Sequence, residues 1–263
     1  MPTLALSGAD LYYEMVGEGT PVVLVHGLGL DTRMWDDQID ALRSIATVIR
    51  YDARGFGRSL RLDNVTEYTN SSDLWALLDH VSVESAVLVG LSMGGGIVLE
   101  AIVERPERVR AMVLLDPYLD GVPWDDESAR GMRAIRDGVR EGGLPAAKAA
   151  WLRHGFFAPA LRRPDLARRL AAMTDDYSGV HWTDHDPHGP HPEVRGRLAT
   201  ITVPTTVVVG ALDVPCFHDM ADILAAEIAT SRKIVVPNAG HMVNMEAPDA
   251  VNDVLSEVVR AAQ

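Results

Sequence analysis

The sequence predicts an α/β fold: a mostly parallel, doubly wound sheet of about eight strands, helices on both faces, and a helical cap inserted late in the chain. Three observations predict it. Short, continuously apolar runs such as Val22–Val25 and Val87–Val89, suited to strands buried on both faces, alternate with amphipathic segments of helical length. These runs end in glycine-rich or polar turns, and reactive groups on such a sheet gather beyond the carboxyl ends of its strands. The alternation stops after Pro117, gives way to helical sequence rich in Ala, Arg and Leu, and resumes near Thr205. The expected division is a core of residues 1–116 and 198–263 with a cap over 117–197.

Thr3 to Val16 alternates apolar and polar residues about Ser7-Gly8, as an antiparallel hairpin at a sheet edge does. Pro21 opens the first buried strand, Val22-Val23-Leu24-Val25, which runs straight into His26-Gly27-Leu28-Gly29. A helix is expected over about Met34–Ser44, with Trp35, Ile39, Leu42 and Ile45 along one side. Ala46–Tyr51 is a strand closed by the turn Asp52-Ala53-Arg54-Gly55-Phe56-Gly57-Arg58-Ser59, and Val65–Val81 holds a second helix. Val87-Leu88-Val89 then reaches Gly90-Leu91-Ser92-Met93-Gly94, followed by a helical segment from Gly95 to Arg105 that Pro106 stops. Val109–Leu115 gives a strand ending at Asp116-Pro117. Beyond the cap come a strand at Thr205–Val209, a helix at Phe217–Ala229, a strand at Lys233–Val236 and a closing helix at Ala247–Ala262.

The 263 residues, 47% hydrophobic and 23% charged, suffice for one large folded unit with its own core. A formal charge of −13 repels phosphate backbones and anionic membranes, which argues against nucleic-acid or membrane partners; it says nothing about the substrate, and the partner expected is a small molecule. No apolar stretch approaches a membrane span, and the first residues lack the basic and apolar regions of a signal peptide, so a cytoplasmic location is expected. The lone Cys216 has no partner for an internal disulfide, and assembly into a homo-oligomer is left open.

Gly90-Leu91-Ser92-Met93-Gly94 has the form of a nucleophile elbow, a turn so tight that a Cβ at either glycine would meet neighbouring backbone. A serine hydroxyl is a weak nucleophile at neutral pH and needs a base, which in turn needs an orienting carboxylate. His241, in the loop after Ile234-Val235-Val236, is the expected base. Asp213, just past Val207-Val208-Val209, is the expected carboxylate; Asp116, which also follows a core strand, competes with it. The backbone amides of Leu28 and Met93 are the expected oxyanion donors, and His26 is expected to hold its loop by hydrogen bonds.

Val25-His26-Gly27-Leu28-Gly29, the Asp52–Ser59 turn, Gly90-Leu91-Ser92-Met93-Gly94-Gly95, Gly210 to Asp213, and Gly240-His241 followed by Glu246-Ala247-Pro248 together resemble the α/β-hydrolase superfamily. Within it the chain resembles small bacterial serine hydrolases grouped with 3-oxoadipate enol-lactonases, carboxylesterases, carbon–carbon bond hydrolases and cofactor-free haloperoxidases. The resemblance implies a triad of Ser92, Asp213 and His241, with no metal or organic cofactor. It implies cleavage of a small carboxylic ester or lactone through an acyl-Ser92 enzyme. Carbon–carbon cleavage, perhydrolase or lyase chemistry, and a non-catalytic ligand-binding role are its alternatives.

In the cap, Trp124, Trp151, Phe156, Phe157 and Trp182 are candidates for the roof of an apolar pocket, with Trp35 beneath them beside the oxyanion loop. Arg130, Arg133, Arg136 and Arg140 recur at near-helical spacing and are expected to form a solvated face; a grip on a substrate carboxylate is the competing role. The segment His181–His191 is histidine-rich, but Pro187, Pro190 and Pro192 prevent a regular helix that would align the imidazoles, so a lid or hinge is expected rather than a metal site.

Overall fold

The computed structural model describes residues 2–61, 67–183 and 187–263. Eight strands form the main path of one sheet. β1 (Thr3–Leu6) and β2 (Ala9–Val16) make the edge hairpin, and β2 lies antiparallel to β4 (Ala46–Tyr51). From there the sheet is parallel: β4, β3 (Thr20–Val25), β6 (Ala86–Leu91), β7 (Val109–Leu115), β8 (Thr205–Gly210) and β9 (Ser231–Val236). The short strand β5 (Leu60–Arg61) pairs with β2, off the main path. The order β1-β2-β4-β3-β6-β7-β8-β9 puts β6, the strand before Ser92, near the middle. Both faces of β6 and β8 are buried along their whole length, which is why their sequences are continuously apolar rather than alternating.

Helices α1 (Asp36–Leu42), α2 (Asn70–His80) and α3 (Met93–Glu104) follow the first strands. α1 is shorter than expected, because Thr32–Trp35 is wound as a tighter 3₁₀ turn capped by Asp31, whose side chain accepts the Arg33 N–H. α2 starts with a reciprocal cap between Thr69 and Ser72. After β8 and β9 come α7 (Pro215–Glu227), the short α8 (Val243–Glu246) and the closing α9 (Pro248–Ala261). Proline opens α7 and α9, where its missing N–H costs nothing.

Between β7 and β8 lie α4 (Asp126–Leu152), α5 (Pro164–Asp176) and the single turn α6 (Val180–Thr183). α4 is broken at Gly143, whose φ of 67° and ψ of −163° no helix contains, with Pro145 completing the break. Asp125 caps its start, accepting the backbone N–H groups of Glu127 and Ser128. Among the described residues no helix is long and apolar enough to cross a membrane.

Candidate active site

Ser92 joins β6 to α3 at φ 54° and ψ −114°, a conformation that costs energy for any residue with a side chain. The turn fits because its glycines have no Cβ: one at Gly90 would lie 2.2 Å from the Gly94 carbonyl oxygen, and one at Gly94 would lie 2.1 Å from that of Val25. The strained residue is pinned by its backbone, with Ser92 N–H donating to Leu115 O at 3.0 Å and Ser92 O accepting from Gly96 and Tyr118. Among the described residues its hydroxyl makes no cap bond to α3 and is left free at the strand end.

The loops after β8 and β9 bring Asp213 and His241 together. His241 Nδ1 lies 2.8 Å from Asp213 Oδ2, and both side chains are almost wholly buried. The two loops are laced by Ala211 N–H to Val236 O and Leu212 N–H to Ala239 O. They pack so closely that a Cβ on Gly210 would lie 2.2 Å from Gly240 O. Asp213 Oδ1 accepts the Val214 N–H at 2.7 Å just before α7, whose amino end favours a negative charge. Glu246 braces the histidine loop from the other side, accepting the N–H groups of Gly240 and Met242. Burial pushes the Glu246 carboxyl above the usual carboxylate range despite those two donors. Phe156 and Phe217 cover the imidazole, with ring centroids 4.6 and 4.1 Å away.

Asp116 stands beside this pair. Its Oδ1 accepts Gly210 N–H at 2.8 Å, whereas the hydrogen bond to His241 Nδ1 comes from Asp213, so the structure pairs the histidine with Asp213 rather than with the competing acid. Ligand-type atoms of Asp116, Asp213 and His241 lie within 4.8 Å of one another, the one such group among the described residues. The 2.8 Å separation of Nδ1 and Oδ2 is hydrogen-bond spacing, with the imidazole N–H donating to the carboxylate.

Ser92, Leu28 and Met93 floor one cavity of about 180 Å³. Its walls are Tyr118, Trp124, Met132, Trp151, Phe156 and Phe217. Leu28 belongs to a loop that His26 fixes: the ring's Nε2 accepts Ala53 N–H at 2.8 Å, which leaves Nδ1 to donate to Gly27 O at 2.8 Å. The Asp52 turn supports the same loop, its carboxylate accepting the N–H groups of Thr32 and Arg58. Trp151 reaches this loop from α4: a Cβ on Gly29 would lie 2.6 Å from its Nε1, a buried N–H with no partner among the described residues.

Three expected lining residues lie elsewhere. Trp35 is fully buried in the core beneath the loop, because the 3₁₀ turn at Thr32–Trp35 points it inward. Trp182 packs behind Trp151, with centroids 5.9 Å apart, and against Tyr177. Phe157 likewise sits behind Trp151 with no exposure. Arg130, Arg133, Arg136 and Arg140 all belong to α4, and none of them lines the cavity, so a grip on a substrate carboxylate by that row is not built.

Of the histidine-rich segment, His185 lies outside the described residues. His181 bonds Tyr177 and stacks on Phe56, and His191 Nδ1 meets Glu100 Oε1 at 2.5 Å, which raises its pKa. Sequence reasoning did not find Tyr118, Met132 and Phe217 as pocket walls, nor Glu246 as the brace of the histidine loop. Tyr118 and Phe217 had a usable signal, each following a strand-end aspartate by two to four residues.

A strained strand-end serine and a buried histidine–carboxylate pair both stand at the carboxyl edge of a doubly wound sheet, where the loops of such a sheet gather reactive groups. Residues 20–248 match the family model described as alpha/beta hydrolase fold, and the chain belongs to that family. It is 27% identical to 3-oxoadipate enol-lactonase 2 of Acinetobacter baylyi over 98% of this chain and 96% of that protein. Among solved structures, a thermophilic esterase from Thermogutta terrifontis superposes with a TM-score of 0.82 at 28% identity, covering 99% of this chain and 97% of that one. The enol-lactonase of Burkholderia xenovorans gives 0.79 at 27% identity, over 98% and 100%. Two of these proteins are named as enol-lactonases and one as an esterase.

Proposed function

We propose that this chain is a serine hydrolase of small, uncharged carboxylic esters or lactones, with Ser92 as nucleophile, His241 as general base and Asp213 as its orienting carboxylate. The observation that carries the reading is the buried 2.8 Å contact of His241 with Asp213, under Phe156 and Phe217, which also wall the cavity that holds Ser92. With Nδ1 committed to Asp213, the imidazole keeps Nε2 for the serine proton. Ser92 Oγ attacks the ester carbonyl as its proton passes to His241, and the oxyanion that forms is met by the amides of Leu28 and Met93. Met93 is the first residue of α3, so its N–H has no partner within the helix. Collapse expels the alcohol, which takes the proton from His241; water then repeats the sequence on the acyl-enzyme, and Ser92 is restored.

The cavity supports the substrate class. About 180 Å³ is room for a single ring or a short branched chain, since about 150 Å³ of engineered apolar cavity in another protein holds one benzene. Its walls are aromatic and aliphatic and carry no cationic side chain, so a carboxylate brought there would lose its hydration without gaining a partner. Helices α4 to α6 serve in this reading as the cap that roofs the pocket. The relatives' lactonase and esterase names agree with the reaction class.

A fluorophosphonate probe tests it: Ser92 is expected to be labelled in the wild type, and Ser92→Ala to lose label and p-nitrophenyl butyrate turnover together. A folded protein whose Ser92 stays unlabelled, or a Ser92→Ala variant as active as wild type, overturns the proposal.

A further inference from the structure

Asp116 is a buried acid at the site to which the two-step reaction gives no part. It ends β7 with φ at 41°, a conformation unusual outside glycine, and its side chain has no solvent exposure. Oδ1 accepts one N–H, from Gly210; Oδ2 is buried and meets no donor among the described residues. The neighbour it meets is a second acid, because Asp116, Asp213 and His241 bring polar atoms within 4.8 Å of one another. The charges that bear on it most, Asp213 and Glu246, are both negative.

Two carboxylates with oxygens within 4.8 Å of each other in a dry site do not both readily hold a charge. Asp213 has the stronger claim to it. It faces His241 and the Val214 N–H, and it stands at the amino end of α7. An ionised Oδ2 on Asp116 would be a buried anion with nothing to meet it, whereas a protonated one gains an acceptor in Asp213.

We propose that Asp116 is a neutral carboxylic acid whose O–H donates to the Asp213 carboxylate, a positioning residue that keeps Asp213 ionised and turned toward His241 Nδ1. Burial, with Asp213 next to it, holds the Asp116 carboxyl well above the usual carboxylate range, in agreement with that geometry. The chain of donors is then Asp116 O–H to Asp213, with His241 Nδ1–H donating to the same carboxylate from the other side. The Asp116 proton stays where it is through the reaction; its work is to fix the carboxylate's rotamer and temper its basicity. This proposal rests on the reading of Ser92, Asp213 and His241 as a triad.

Two measurements test it. The infrared difference spectrum between wild type and Asp116→Asn at neutral pH is expected to show loss of a carboxylic-acid carbonyl band; loss of a carboxylate band instead overturns the proposal. That readout needs no turnover, so it decides the protonation of Asp116 even if Ser92→Ala or Asp213→Asn proves active and the triad reading fails. The second is the pH profile of kcat/KM for p-nitrophenyl butyrate, whose acid limb reports the free enzyme's base. Asp116→Asn keeps an acceptor for Gly210 and offers an N–H where the O–H was, so the limb is expected within about 0.3 pH unit of wild type. Asp116→Ala loses the donor, and kcat is expected to fall about tenfold with a limb displaced upward and KM little changed. Were Asp116 ionised, neutralising a charge about 5 Å from His241 would move the Asp116→Asn limb down by about 2 pH units, and the proposal would be wrong. Should Asp116→Ala fail to fold, the asparagine profile and the infrared band still decide.

Discussion

Gly94→Ala is the sharpest test of how the elbow is built. The added Cβ would lie 2.1 Å from Val25 O, 2.7 Å from Val25 C and 2.8 Å from His26 O, where ordinary contact begins at 3.4 Å. All three atoms are backbone, so no side chain can swing away; the two chains must part by about 1.3 Å, the gap between 2.1 and 3.4 Å. β3 cannot yield easily, because it is hydrogen-bonded to β4 on one side and β6 on the other. Overpacking of this kind costs about 1–3 kcal/mol, which in a domain of this size lowers Tm by roughly 2–12 °C. The displaced backbone carries Ser92 on one side and the His26–Gly29 loop on the other, and a misplacement of about 1 Å costs about 100-fold in rate. Gly96→Ala is the internal control. It lies in the same helix, its Cβ would meet nothing nearer than 3.4 Å, and helix propensity alone should raise stability by up to about 1 kcal/mol. Thermal unfolding followed by circular dichroism, with p-nitrophenyl butyrate turnover for the Gly94 variant, reads both effects. A Gly94→Ala protein that melts within about one degree of wild type and keeps turnover within about threefold would refute the reasoning.

Other outcomes follow from single contacts. Asp213→Asn leaves the histidine without its carboxylate and is expected to lower kcat by about four orders of magnitude; retention of most activity would move the orienting role elsewhere. Met132→Ala opens the cavity wall and is expected to raise kcat/KM for p-nitrophenyl octanoate relative to the butyrate about tenfold, read from a chain-length series. Asp125→Ala removes the cap of α4 and should cost about 1 kcal/mol by urea denaturation at neutral pH. Burial pushes the Asp125 carboxyl up, but hydrogen bonds from Ser128 and Cys216 together outweigh it and lower the pKa from 3.8 to about 2. A folded-state pKa below the unfolded one stabilises above about pH 4 and is lost as pH falls toward 2, so the gap in unfolding midpoint between wild type and Asp125→Ala should close over that interval.

The core strands and the turns at their ends were legible because both are local. A strand buried on two faces must be continuously apolar, as β6 and β8 are, and a tight strand-to-helix turn must place glycine where Gly90 and Gly94 stand. The same locality let Asp213 and His241 be named from the turns that follow β8 and β9. Helix ends were less legible: α1 begins two residues later than its apolar spacing suggests, because the Asp31 cap winds Thr32–Trp35 into a tighter turn. Which of the aromatic residues would face the cavity was not legible at all. Trp35 and Trp182 have the same composition signal as Trp124 and Trp151, but a side chain's partners far along the chain decide whether it lines a pocket or backs another ring. Sequence alone determined the sheet, the elbow and the order serine, aspartate, histidine, since each is written in short-range steric and hydrophobic pattern. Only the tertiary structure decided that Asp213 rather than Asp116 meets His241, and that the pocket walls carry no charge, because both depend on which loops the closing of the sheet brings within a few ångströms of one another.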